Sequence, residues 1–169
     1  MKMFKISYLG ITAVIFLLLS ACSAGGVKPQ PGAIFSGPFE LSRSASSASM
    51  GGGELEITIT DDGMGIASAT LTLSDLRCSN SSGDIDISSD GWSATTTFTQ
   101  PILIEGGKFS FDLGGIDEEI PVEGEFTSPS SITAIIKIST STEFAPPGTN
   151  LRERINCDYG TWNWMGELK

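Results

Sequence analysis

Residues 54–60, Glu-Leu-Glu-Ile-Thr-Ile-Thr, alternate strictly between polar and apolar side chains, the period-two pattern of a strand with one face buried. Asp61-Asp62-Gly63-Met64-Gly65 supplies turn chemistry, and Ala67, Ala69, Leu71 and Leu73 then share one face of a second strand. Leu76 and Cys78 fall on the opposite parity. A bulge near Ser74-Asp75 is therefore expected, to keep all of them inside. A Thr-rich strand over 93–100 is expected to end at Pro101. Ile102 and Ile104 lead into Glu105-Gly106-Gly107-Lys108, after which Phe109, Phe111 and Leu113 alternate back, the pattern of a hairpin. Ile120 to Phe126 reads as a strand, as do Ile132, Ala134, Ile136 and Ile138, with Pro129 between them. A last strand starts near Leu151. Ile34 to Leu41 is expected at a sheet edge, because Pro38 cannot donate to a ladder. No segment after the first 21 residues shows a helical period. About eight short strands joined by Gly, Pro and Ser turns predict an all-β, antiparallel β-sandwich, with a partly open β-barrel as the alternative.

The first residues follow another pattern. Lys2 and Lys5 precede an apolar run from Ile6 to Leu19, and small residues follow at Ser20 and Ala21. This is the layout of a secretory signal peptide, and the run is short of the ~20 residues a permanent membrane helix needs. A cleaved signal helix is expected. Leu19-Ser20-Ala21-Cys22 resembles the lipobox of bacterial lipoproteins. The resemblance implies a diacylglyceryl thioether on Cys22, cleavage before it and acylation of the new amine. It implies a lipid-anchored protein of the bacterial cell envelope, sorted to the outer membrane if the cell has two membranes, since Ser23 and not Asp follows the Cys. The expected organisation is a signal peptide over 1–21, lipidated Cys and flexible tether over 22–32, and one β-domain over 33–169. Pro29, Pro31 and neighbouring Gly and Ser favour a partly extended spacer in the tether.

Charge and cysteine content fit that address. The whole chain carries a net −10; loss of Lys2 and Lys5 leaves eight basic against twenty acidic residues, a net −12. That sign argues against nucleic acid and against electrostatic attraction to anionic lipid. With Cys22 given to lipid, Cys78 and Cys157 remain as an even pair in an exported chain, which predicts a disulfide; two free buried thiols are the alternative.

The body of the chain also resembles small exported bacterial β-sandwich modules of unsettled function. Gly32 to Gly37, Cys78, Ile104 to Phe109, Gly124-Glu125-Phe126, Cys157 and Trp162 carry the likeness. It implies a fold and a disulfide, not a reaction.

The chain contains no His, which excludes Ser-His-Asp and Cys-His catalysis and His-ligated zinc. A carboxylate pair or a Ser-Lys arrangement is what remains for an enzyme, and Asp117-Glu118-Glu119 reads more simply as a solvated turn. Asp84 to Gly91 spaces oxygens as calcium loops do, but Ser89 and Thr95 stand where such a loop needs Gly and Glu, so a strand or loop is expected and no metal or cofactor. Recognition would fall to aromatic residues. Trp162 and Trp164 share a face of the last strand, as stacking on a sugar would require, and Trp92 is a third candidate ligand contact. A regular strand from Cys157 puts both Trp outward; a bulge at Gly160 turns them into the core, and that is the favoured geometry. The expected role is binding or adhesion toward a glycan or another envelope protein, with a structural envelope component and a carboxylate hydrolase as alternatives.

Overall fold

The computed structural model describes residues 26–43, 48–79, 86–115, 118–144 and 153–169. Residues 1–25, with the expected signal segment and Cys22, and residues 145–152, with Pro146-Pro147-Gly148, lie outside them. Ten strands account for most of the described chain: β1 (Ile34–Arg43), β2 (Ala48–Ser49), β3 (Gly52–Ile59), β4 (Gly65–Ser79), β5 (Asp86–Leu103), β6 (Lys108–Asp112), β7 (Glu118–Glu119), β8 (Pro121–Ser128), β9 (Ser131–Phe144) and β10 (Glu153–Leu168). All pairings are antiparallel, in the order β5-β4-β3-β1-β10-β9-β8-β6. The short β2 and β7 extend β3 and β8 in the same register along β4 and β9.

The fold is therefore all-β and antiparallel, and the sheet folds over on itself without closing into a barrel. Its two end strands come side by side, where the rings of Phe98 and Phe111 meet edge to face at 5.3 Å. Between the halves lies one core, built from the inward parity of each strand: Leu55, Ile57 and Ile59 on β3, Ile132, Ile136 and Ile138 on β9, and Phe35 on β1 are almost wholly covered. The Cys78–Cys157 disulfide crosses that core from β4 to β10, strands that are not neighbours, with 5.7 Å between the Cα atoms.

Four sequence expectations change. Pro38 is not on an edge: β1 lies between β3 and β10. Its ladder to β10 runs over Phe35 and Ser36 and resumes at Phe39, so the missing donor falls within a local interruption. The Gly106-Gly107 turn forms, with both glycines left-handed (φ 60° and 82°) and two hydrogen bonds of 2.9 and 3.0 Å joining Glu105 and Lys108. The arms beyond it do not pair, however; β5 joins β4 and β6 joins β8, at opposite ends of the sheet order. Alternation predicted two strands and a turn but could not say whether they were partners. Pro101 does not end its strand, because β5 is an end strand and its register shifts between Thr97 and Ile102, which accommodates the missing N–H.

The fourth change concerns the tether. Gly26 to Gly32 is not a free spacer but lies on the domain. Pro29 is buried and Val27 packs on the core, while Gly32 N–H donates to Thr60 O at 3.0 Å.

The parity reversal in β4 is present and takes a different form from the expected bulge. Asp75 has φ 51°, and the pairing with β5 keeps its register across it, Ser74 opposite Gly91 and Leu76 opposite Ser89. A left-handed residue turns the strand without adding one. Cys78 thereby faces the core.

Candidate functional site

The three candidate tryptophans have separate fates. β10 carries a bulge between Asp158 and Gly160, with Gly160 at φ 89° and its N–H held by Asp158 Oδ1 at 2.9 Å. Cys157 and Tyr159 face inward before the bulge; Trp162 and Trp164 face inward after it. Their relative exposures are 5% and 1%, so neither indole presents a face to a ligand. Each N–H also stays within the fold: Trp162 Nε1 donates to Tyr159 O at 3.0 Å and Trp164 Nε1 to Gly37 O at 2.8 Å. The favoured geometry, a bulge at Gly160 that turns Trp162 and Trp164 into the core, is present, and the alternative of an outward stacking platform is not, because one extra residue inverts the parity. Trp92, opposite Leu73 on β5, is half-buried against the same core. Cys22, the expected lipid attachment point, lies outside the described residues, as does Asp84 of the oxygen-rich segment; residues 88–91 of that segment are part of β5.

A concavity lies elsewhere, on the outer face of β1, β10, β9, β8 and β6. It has a volume of about 800 Å³. Register alone shows how it is assembled. One cross-strand row runs Lys108, Glu125, Thr133, Met165; the next runs Glu123, Ile135, Asn163, Glu40. Pro38 and Glu167 complete the lining used here. Met165 and Ile135 form an apolar centre and are each 57% exposed. Around them stand four carboxylates, Glu40, Glu123, Glu125 and Glu167, and one cation, Lys108, whose Nζ is 4.0 Å from Glu125 Oε2.

On the opposite face two glycines let core rings sit tight under this surface. A side chain on Gly124 would collide with the Phe109 ring, and one on Gly166 with Trp164. The groove floor is therefore rigidly backed. No protein-family model, curated protein or solved structure matches the chain.

The chemistry of this surface is electrostatic and apolar. Glu40 and Glu123 end one row three strand spacings apart, ~14 Å between backbones. Glu123 and Glu125 stand side by side on one strand rather than facing each other. Among the described residues no group of three or more Cys, Asp or Glu is arranged to hold a metal ion.

Sequence reading missed this face, yet a signal for it existed. In Ile132-Thr-Ala-Ile-Ile-Lys-Ile the inward parity takes Ile132, Ala134, Ile136 and Ile138, leaving Ile135 as an aliphatic residue on the polar side. Met165 becomes the same kind of exception once the Gly160 bulge is placed.

Proposed function

We propose that this chain is an exported lipoprotein, held in the bacterial envelope through lipid on Cys22, whose β-domain binds a basic partner on the outer face of β1-β10-β9-β8-β6. The observation that carries the binding role is the groove: an apolar centre of Met165 and Ile135 inside a rim of Glu40, Glu123, Glu125 and Glu167. Exposed aliphatic side chains in a concave, acid-rimmed surface are complementary to a segment that alternates Lys or Arg with aliphatic residues. The chain's net charge of −10 favours the same partner through long-range attraction. The occupant is accordingly a basic, amphipathic segment of another envelope or exported protein. A glycan is less well served, since the two indoles that would stack on it are covered.

Binding of a labelled Lys-Leu alternating peptide to the purified protein, beside a Glu-Leu peptide and a glycan panel, tests this. The Lys-Leu peptide should bind in a salt-sensitive manner, and Glu123→Lys/Glu125→Lys should weaken it by about tenfold or more, a loss of ~1.4 kcal/mol. Equal binding of the acidic peptide, or undiminished binding in the folded double variant, would overturn the assignment. A protein that binds none of the probes would instead be a structural component, a role suited to its cross-linked, fully packed core.

A further inference from the structure

The described chain starts at one end of the fold, and every strand boundary there can be ordered. The start of β1, the turns 60–65 and 104–107, the β8–β9 turn and the end of β10 all lie at this end, tied by Ile104 N–H to Met64 O (3.0 Å), Phe126 N–H to Gly107 O (2.8 Å) and Lys169 N–H to Ile34 O (2.9 Å). The disulfide and the starts of β5 and β10 lie at the other. Gly26 leaves no room for a side chain against the Gly106 carbonyl, so the entering chain is fixed at the first end. Only four residue steps separate Cys22 from Gly26. Fully extended, they span at most ~14 Å.

From this we infer that the Met64/Leu103 end of the domain sits on the lipid surface that holds Cys22, so that the molecule stands with the disulfide end outward. The inference rests on the lipid anchor proposed above. Two large apolar side chains, Met64 at 51% and Leu103 at 65%, are exposed at this end, Leu103 opposite the Gly65 that follows Met64. Exposed charged residues of both signs stand at this end, Asp61, Asp62 and Glu105 with Lys28, Lys108 and Lys169. The contact is therefore apolar and leash-enforced, with no need of anionic headgroups. β10, at 16 residues, reaches ~50 Å from this end to the other. The groove lies low on the side: Lys108, Glu125, Thr133 and Met165 are within three residues of their strands' lower ends, ~10 Å up. A partner in it would be met at the membrane surface.

The test uses the lipidated full-length protein in phosphatidylcholine vesicles carrying headgroup nitroxide lipids. A dye is placed at Met64→Cys, at Ser130→Cys as a second site at that end, or at Asp90→Cys, with the Cys78–Cys157 disulfide kept oxidised. Dyes at Met64 and Ser130 should be quenched severalfold more than the dye at Asp90. A Gly/Ser insert of about a dozen residues between Gly25 and Gly26 should shrink that contrast. Equal quenching at both ends of a vesicle-bound, lipidated protein would overturn the orientation, and a contrast unaffected by the insert would overturn the leash. A protein with no lipid mass on Cys22 and no vesicle binding would overturn the anchor itself, a result mass spectrometry separates from the other two.

Discussion

Trp164 Nε1 donates a hydrogen bond to the carbonyl oxygen of Gly37 at 2.8 Å, joining β10 to β1 beside the proline that interrupts their ladder. Proline has no N–H to give, and the β1–β10 ladder lapses over residues 37 and 38; a donor removed from the Gly37 carbonyl there would cost about 1–3 kcal/mol if that oxygen found no other partner. The indole supplies a side-chain hydrogen bond between the two strands where the backbone ladder lapses, and its ring is 1% exposed.

Trp164→Phe keeps most of the packing and removes the donor. It should cost about 1–3 kcal/mol, whereas Trp164→Ala should cost about 3–5 kcal/mol by leaving a cavity as well. Equilibrium urea unfolding checks both. A Trp164→Phe loss below the error of the measurement would show that the Gly37 carbonyl finds another partner.

Gly160→Ala probes the bulge that sets the parity of the whole C-terminal half of β10. At φ 89° a Cβ is strained, and a destabilisation of about 1–3 kcal/mol is expected. The same unfolding measurement applies, and Trp fluorescence should shift toward red if the variant relaxes the bulge and exposes Trp162 and Trp164. A wild-type midpoint and spectrum would show that the bulge does not depend on glycine.

Reduction of Cys78–Cys157, or the Cys78→Ser/Cys157→Ser variant, opens a loop closed over a separation of 79 residues. In the chain-entropy picture the bridge contributes about 4.5 kcal/mol, an upper value. Thermal unfolding with and without reductant should show the loss, with the fold retained at low temperature because the sheet ladders do not depend on the bridge.

Tyr8 and Tyr159 are the two tyrosines, so phenolate absorbance of a protein made from residue 22 onward reports Tyr159 alone. Burial raises its pKa above the ordinary 10.0, against an opposing hydrogen bond from the Thr140 side chain. The folded protein should therefore ionise later than the denatured one. Because the unfolded chain releases this proton first, stability from Tyr159 is complete below about pH 10 and falls as pH rises through the folded value. Coincident titration curves for folded and denatured protein would contradict the burial.

Much of the architecture is legible in local pattern. Alternation in 54–60, 120–126 and 132–138 fixed which side chains enter the core, and the left-handed glycines of 106–107 were readable as a turn because few other residues accept that backbone. Leu76 and Cys78 announced a parity reversal by being out of phase. What alternation carries is the face of each side chain, not the identity of the neighbouring strand. The Gly106-Gly107 turn made β5 and β6 look like partners, and only the curl of the sheet sent them to its two ends.

The sequence by itself determined the strands, their inward faces, the all-β class and the pairing of Cys78 with Cys157, because these depend on period, composition and count. Tertiary structure decided that Pro38 sits in the middle of the sheet, which of the two parities open to Trp162 and Trp164 is realised, and that Ile135 and Met165 meet four carboxylates across five strands. Those outcomes rest on register and on single-residue parity shifts at Asp75 and Gly160. Such shifts leave local hydrophobic periodicity nearly unchanged while moving every side chain beyond them to the other face.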